Sequence, residues 1–391
     1  MCDPPMPSEP PPPAPPGSQS MLGRLLARLP RIDLAHIRLA VRATVAALLA
    51  YGIAWWLDLP KGYWAVLSAI LVVQSSLGAS VAVATDRGLG TIAGGIIGVG
   101  LAMIAGPSQD LTVLLLTIGT LATALLAAYR PSFKLAPVTV VVVMLSDPTH
   151  AQPLISGLQR VFEIALGGAV GVACALFVFP ARALFLLFPN AADAIDACAA
   201  LLEEGRAGLL DGTLDPAEID RLNAGARVSL RAADLRVGEA RRERAGWLAG
   251  PPDAAPIVRT CRRLWHSVII LLRVADAPLP TELVTPVRAT LQAALGALAT
   301  ECRVIAESLR SGNPVGLGSA SDSAEAMSAA VAALQAEMDR AGTSGLLKGD
   351  GASLTRLYTA VAGCVHVQEN LMELRVQLAA YRADQAERAV A

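Results

Sequence analysis

The sequence predicts an all-α membrane protein, with six transmembrane helices followed by a cytoplasmic helical bundle. Three observations lead there. First, 54% of the 391 residues are hydrophobic and 17% charged, with a mean hydropathy of +0.50, against about 45–50% apolar and about 25% charged in soluble domains. Second, the charge-free stretches crowd between about residues 43 and 180, and the remainder is rich in charge and Ala. Third, basic residues fall in alternate short loops of the apolar half, as the positive-inside rule requires. With 32 basic against 33 acidic side chains, no basic excess exists to neutralise phosphates, so nucleic acid is not an expected partner.

Residues 1–20, MCDPPMPSEPPPPAPPGSQS, are too Pro-rich and too poor in apolar surface to fold and read as a disordered tail. They lack a basic stretch followed by an apolar one, so no cleavable signal peptide is expected and the first span directs insertion. Residues 21–36 place Arg24, Arg28 and Arg31 among leucines, which suits an amphipathic segment on a membrane surface.

The transmembrane domain is expected over residues 37–180. Its spans run from Ile37 to Leu57, Gly62 to Ser80, Arg87 to Ala105, Leu111 to Tyr129, Leu135 to Ser146 and Leu158 to Pro180. A span needs about 20 residues. The fifth is short and carries Pro137, so it is either extended backwards or a broken helix lining a cavity. Arg24, Arg28, Arg31, Arg87, Arg130, Lys134 and Arg182 lie on one side; Asp58, Lys61, Asp110, Asp147 and His150 lie on the other. Both termini are therefore expected in the cytoplasm. Trp55, Trp56, Tyr63 and Trp64 surround the first outer turn, at headgroup level.

Residues 181–391 read as the cytoplasmic bundle. Its helices are expected from Ala191 to Leu210, Pro216 to Trp247, Pro256 to Ala275, Thr281 to Arg310, Ser323 to Arg340 and Ser353 to Glu387. The second is well marked, since Asp215 can cap, Pro216 suits the first helical position and Glu218 completes a capping-box spacing. Six scattered cysteines without a Cys-x-x-Cys suggest neither disulfides nor a zinc site. No cofactor or metal is expected. His36, His150, His266 and His366 form no recognisable catalytic set, so an enzyme is not expected.

The Gly-rich run from Gly88 to Gly100 lacks the spacing and the preceding strand of a dinucleotide turn. Gly90, Gly94 and Gly98, like Gly167 and Gly171, stand every fourth residue, and small residues so spaced let helix backbones approach closely in lipid. Charges at membrane depth carry more information, because they cost about 2.5–3.5 kcal/mol each unless they face protein or water. Arg38 and Arg42 stand at the inner end of the first span, Arg87 opens the third, and Arg160 with Glu163 lies at the outer end of the sixth. The first three have interfacial anchoring as the plain alternative, and Arg160 an intrahelical pair with Glu163. Gln74, Ser75 and Ser76 interrupt the second span and need polar partners.

The stretch PKGYWAVLSAILVVQSSLGASVAVATDRGLGTIAGG, from Pro60 to Gly95, resembles the signature of the fusaric acid resistance and aromatic acid exporter family: a Trp opening a span, a Gln before small residues, then Arg87 followed by Gly90 and Thr91. The stretch from Gln159 to Pro180, with Arg160, Glu163 and Gly167, resembles that family's closing span. The resemblance covers residues 35–185. It implies export of aromatic or other organic acids from bacteria across the inner membrane. A looser similarity to plant malate channels implies a homodimer of six-span subunits. Many exporters of the family carry two such halves in one chain, whereas this one carries one.

On this reading Arg87, Arg160, Gln74, Arg42 and Arg38 are the substrate-binding candidates, because a guanidinium fork meets a carboxylate with charge-assisted hydrogen bonds. Arg87 and Arg160 would mark the inner and outer portions of one path. Glu163, with Asp86 as second choice, is the proton-coupling candidate, burial and a neighbouring Arg pulling its pKa in opposite directions. A gated passive anion channel with the bundle as sensor, and a membrane-anchored scaffold whose bundle binds a partner, are the other classes open to this sequence.

Overall fold

The structure, a computed structural model, describes residues 34–146, 152–180, 182–245, 252–311 and 319–390. The Pro-rich tail, most of the amphipathic segment, Asp147 and His150 lie outside the described residues. Every regular element among the described residues is helical, as expected. In the apolar half these are α1 (Leu34–Trp56), α2 (Tyr63–Val72), α3 (Leu77–Ala105), α4 (Gln109–Tyr129), a 3₁₀ turn (Pro131–Phe133), α5 (Ala136–Leu145) and α6 (Pro153–Phe177).

The second expected span is corrected. Its helix stops at Val72, and Ser76, extended at φ −130°, ψ 160°, caps α3 by accepting the Ala79 N–H. A hydroxyl at that position satisfies one of the donors a helix start leaves open, so the polar triplet Gln74, Ser75 and Ser76 ends one helix and starts the next. α3 thus absorbs the rest of the expected second span and the whole of the third. Its 29 residues make about 43 Å of helix, longer than the roughly 30 Å of a hydrocarbon core. α6 begins five residues earlier than expected because Pro153 sits in its first turn.

Among the described residues five helices are long and apolar enough to cross a membrane: His36–Trp56, Leu77–Ala105, Gln109–Tyr129, Pro153–Phe177 and Leu184–Asp211. Tyr63–Val72 and Pro131–Leu145 are apolar but shorter. Long, short, long therefore occurs twice, as α1–α2–α3 and α4–α5–α6, and the two triplets interlock. The short α2 packs on α6 and the short α5 on α3, while α3 and α6 pack on each other. Gly94 of α3 lies so close to α5 that a Cβ would stand 2.4 Å from the Ala136 carbonyl; at Gly167 of α6 it would stand 2.1 Å from that of Ala65 on α2. The glycine stripes are thus the seats of the two short helices, and α3 and α6 run antiparallel, Gly95 beside Val161 and Gly168 beside Ala84. Three antiparallel elements reverse direction from one triplet to the next, the arrangement of an inverted repeat.

The C-terminal unit holds α7 (Leu184–Asp211), α8 (Pro216–Ala245), α9 (Ala255–Val274), α10 (Thr281–Val284), α11 (Arg288–Ser311), α12 (Ser319–Thr343) and α13 (Gly351–Val390). The single helix expected from Thr281 to Arg310 is split, since Pro286 between α10 and α11 lacks the N–H a helix needs. Asp215 caps α8 as expected, accepting the N–H groups of Ala217 and Glu218. α7 is as apolar as a membrane span, yet Leu187, Ile195, Leu201, Leu202 and Leu209 are fully buried in the core of this unit. Its composition follows from its central place, packed by α8, α9 and α11.

The two units are joined at one polar seam. Gly78 abuts the backbone of Glu239 on α8 and donates its N–H to Glu243 Oε1 at 2.9 Å. Glu243 also accepts the Ala183 N–H at 3.0 Å, Ser76 Oγ donates to Glu239 at 2.6 Å, and Arg236 reaches Ser75 Oγ at 3.0 Å. Burial pushes the Glu243 carboxyl up, against the two backbone donors that hold its charged form.

Candidate functional site

The central contact of α2, α3 and α6 holds the charges. Arg87 lies ten residues into α3 and Arg160 seven into α6, about 15 Å and about 10 Å from the respective helix starts. Both are buried, and Arg87 acts electrostatically on Arg160.

Arg87 Nε donates to Ser68 Oγ at 3.3 Å, and that hydroxyl donates to the Ile164 carbonyl at 3.1 Å. One turn on, along the same face of α3, the buried Thr91 hydroxyl has no partner among the described residues. The guanidinium carbon of Arg160 stands 3.4 Å over the Trp64 ring, a desolvated cation–π contact. Arg160 Nε and Nη1 are buried without a hydrogen-bond partner among the described residues. Glu163, 2% exposed, faces Arg160 and Lys61, whose backbone N–H it accepts. A crevice bordered by Lys61, Trp64, Ser146, Ser156 and Gln159 reaches this group. Its volume is about 10 Å³, room for a single water at most.

The remaining sequence candidates lie elsewhere. Arg42 is buried at 2% exposure, but its donors go to backbone carbonyls: Nε to Val178 at 2.9 Å, Nη1 to Gln74 at 3.1 Å, and Nη2 to Phe179. Phe179 holds φ +50°, an uncommon left-handed conformation for a bulky residue. Arg42 therefore fastens the end of α6 and the break before α3 to α1. Gln74 donates its side-chain amide to the Leu71 carbonyl and its backbone N–H to Ser80. Arg38 and Asp86 are exposed, Asp86 beside Arg87 in sequence but on the outer face of α3.

Sequence reasoning passed over Ser68 and Thr91 as site residues and took Trp64 for an interfacial anchor. Signals existed: Ser68 is the one polar side chain of α2 beyond its opening Tyr63 and Trp64, and Thr91 follows Arg87 at the four-residue spacing that shares a helix face. Two cations, one carboxylate and unspent guanidinium and hydroxyl donors in a dry helical core form an anion-binding chemistry, since a buried charged donor gains most from an ionised acceptor.

Fold and core define the class: a multi-pass, all-helical membrane protein with buried arginines on its central helices. Residues 49–174 match the family model described as fusaric acid resistance protein-like, a range that takes in the end of α1, α2 to α5, most of α6, and Arg87, Arg160 and Glu163. The resemblance read from the sequence is borne out over this segment. The chain is 29% identical over 160 residues to the uncharacterized protein YhfK of Escherichia coli, covering 41% of this chain and 22% of that protein. It is 33% identical over 92 residues to an uncharacterized transporter of Gluconobacter oxydans, covering 24% and 12%. The chain thus spans about a fifth and about an eighth of the lengths of these relatives. The matches support a membrane transporter.

Proposed function

We propose that the chain is a subunit of an exporter of small aromatic or other organic anions across the bacterial inner membrane, coupled to proton entry. The carrying observation is the buried Arg160, stacked on Trp64 with Nε and Nη1 unspent, within electrostatic reach of Arg87. A carboxylate would take the open edge of the fork and a substrate ring would lie along Trp64, while Arg87, Ser68 and Thr91 would serve the anion deeper in the core. Glu163 is the proton site: unprotonated it neutralises Arg160, and a proton on it leaves that charge to the substrate. In this reading α1 to α6 make six passes with both termini in the cytoplasm, the short α2 and α5 completed by their flanking turns. The C-terminal unit is cytoplasmic, and two copies assemble, as closed symmetric pairs are the commonest oligomers.

The test is uptake of labelled benzoate by everted vesicles, normalised to the amount of protein. Arg160→Gln and Arg87→Gln should each lower the rate per molecule by roughly 10 to 150-fold, the worth of about 1.5–3 kcal/mol in a charge-assisted bond. Lys should restore only part of it, lacking the planar fork. Glu163→Gln should leave downhill benzoate movement but abolish its response to a proton gradient. Rates unchanged by Gln at both arginines would overturn the assignment, and transport indifferent to the gradient in the unaltered chain would replace the coupled carrier with a passive channel.

A further inference from the structure

A second group of guanidiniums lies outside the apolar core, where α7 begins. The first two turns of α7 and the ends of α11 and α13 enclose a cavity of about 280 Å³. Its walls are apolar and aromatic: Phe185 and Phe188 of α7, Leu309 of α11, Leu378 and Tyr381 of α13. Phe188 and Tyr381 meet edge to face, centroids 5.3 Å apart at 81°.

Three arginines border this cavity, and their charges are not equivalent. Arg310 is held by Asp193 and Asp196 at 2.7 and 2.5 Å. Arg182 is exposed. Arg382 meets no carboxylate among the described residues; Nη2 donates to the Ser308 carbonyl at 3.1 Å and hydroxyl at 2.7 Å, while Nη1 is buried without a partner among them. Arg382 thus borders the cavity as a guanidinium with no counter-charge among the described residues, and an anion there supplies one.

We propose that this cavity binds a small aromatic carboxylate, its ring between Phe188 and the aliphatic wall and its carboxylate on Arg382. The size supports this class, falling just under the roughly 300 Å³ at which drug-sized pockets begin, which suits one or two rings and excludes a dinucleotide. A planar fork with an unspent N–H matches a carboxylate. A phospholipid headgroup is the other source of an anion here, and the experiment below separates the two. The proposal uses none of the residues of the membrane core and stands or falls apart from the transport reading.

The experiment uses the full chain in phosphatidylcholine nanodiscs, photo-crosslinked with 4-benzoylbenzoate and mapped by mass spectrometry. Saturable adducts are expected within residues 184–189 and 378–385, displaced by 2-naphthoate and not by neutral 2-naphthamide. Arg382→Gln should weaken labelling by about tenfold or more, and Arg382→Lys should recover part. Arg160→Gln should leave it unchanged. Gln385→Trp, at an exposed lining position, should block the cavity with Arg382 intact, so the proposal stays testable if Arg382→Gln fails to fold. Labelling equal in Arg382→Gln and Gln385→Trp to that of the unaltered chain, labelling lost in Arg160→Gln, or labelling abolished by phosphatidylglycerol would each overturn it.

Discussion

Glu243 of α8 accepts the backbone N–H of Gly78, at the head of α3, through the same Oε1 atom that accepts the N–H of Ala183, where the chain passes from the apolar segment to α7. One buried carboxylate thus ties the helix bearing Arg87 to the C-terminal unit at two points remote in sequence. Any motion of α3 that opens the core around Arg160 must carry α8 with it or break this seam.

Glu243→Ala should leave two buried N–H groups without an acceptor, a loss of about 1–3 kcal/mol for each, whereas Glu243→Gln keeps the Oε1 acceptor. Burial raises the folded-state pKa of Glu243 above its ordinary value of 4.5. The folded chain then binds this proton more tightly than the unfolded one, so the contribution is fully present below about pH 4.5 and declines as pH rises through the folded value. Thermal unfolding in detergent should show this slope in the unaltered chain and its absence in Glu243→Gln. An equal slope in both would remove Glu243 from the seam's pH dependence.

Arg42→Gln should lower the amount of folded protein and its melting temperature without changing transport per surviving molecule, because its donors serve the carbonyls of Val178, Phe179 and Gln74. Hydrogen bonds from a charged group contribute about 1.5–3 kcal/mol each. A specific fall in transport rate at normal stability would return Arg42 to the substrate path.

Gly94→Ala should destabilise the apolar unit by about 1–3 kcal/mol, the usual cost of overpacking, because the new Cβ meets the Ala136 carbonyl of α5 at 2.4 Å. Gly100→Ala on the same helix, with nothing within 4 Å, should be tolerated. Comparing the two by melting temperature separates the seat of α5 from a general preference for small residues.

Cys174, Cys198, Cys261, Cys302 and Cys364 are buried and unbridged. Burial pushes the thiols of Cys261 and Cys364 up to about 12, and that of Cys302 higher, leaving little thiolate to react. With Cys2 replaced by Ser, folded protein should be nearly silent to maleimide. Against that background, Gln109→Cys should label with an impermeant maleimide from outside the cell and Ser132→Cys should not. Outside labelling at position 132 would invert the proposed orientation.

The sequence by itself determined the apolar and charge-rich halves, the all-helical character, the Asp215 cap, the glycine stripes, and Arg87, Arg160 and Glu163 as charges too costly to bury idly. These are local properties, read from composition, spacing and the cost of a charge in hydrocarbon. The tertiary structure alone decided how each was used. Arg42 and Arg87 look alike in sequence, yet one is spent on carbonyls about 136 residues away and the other lies in a core shared with Ser68, Thr91 and Arg160. Gln74 to Ser76 interrupt an apolar run, and the structure shows their use: Ser76 caps α3 and, with Gly78, docks it on α8. The first helix of the second unit was expected from Ala191, and the structure starts it at Leu184 and packs it at that unit's centre. Such outcomes depend on which side chains converge when distant helices pack, and helix periodicity carries no record of that.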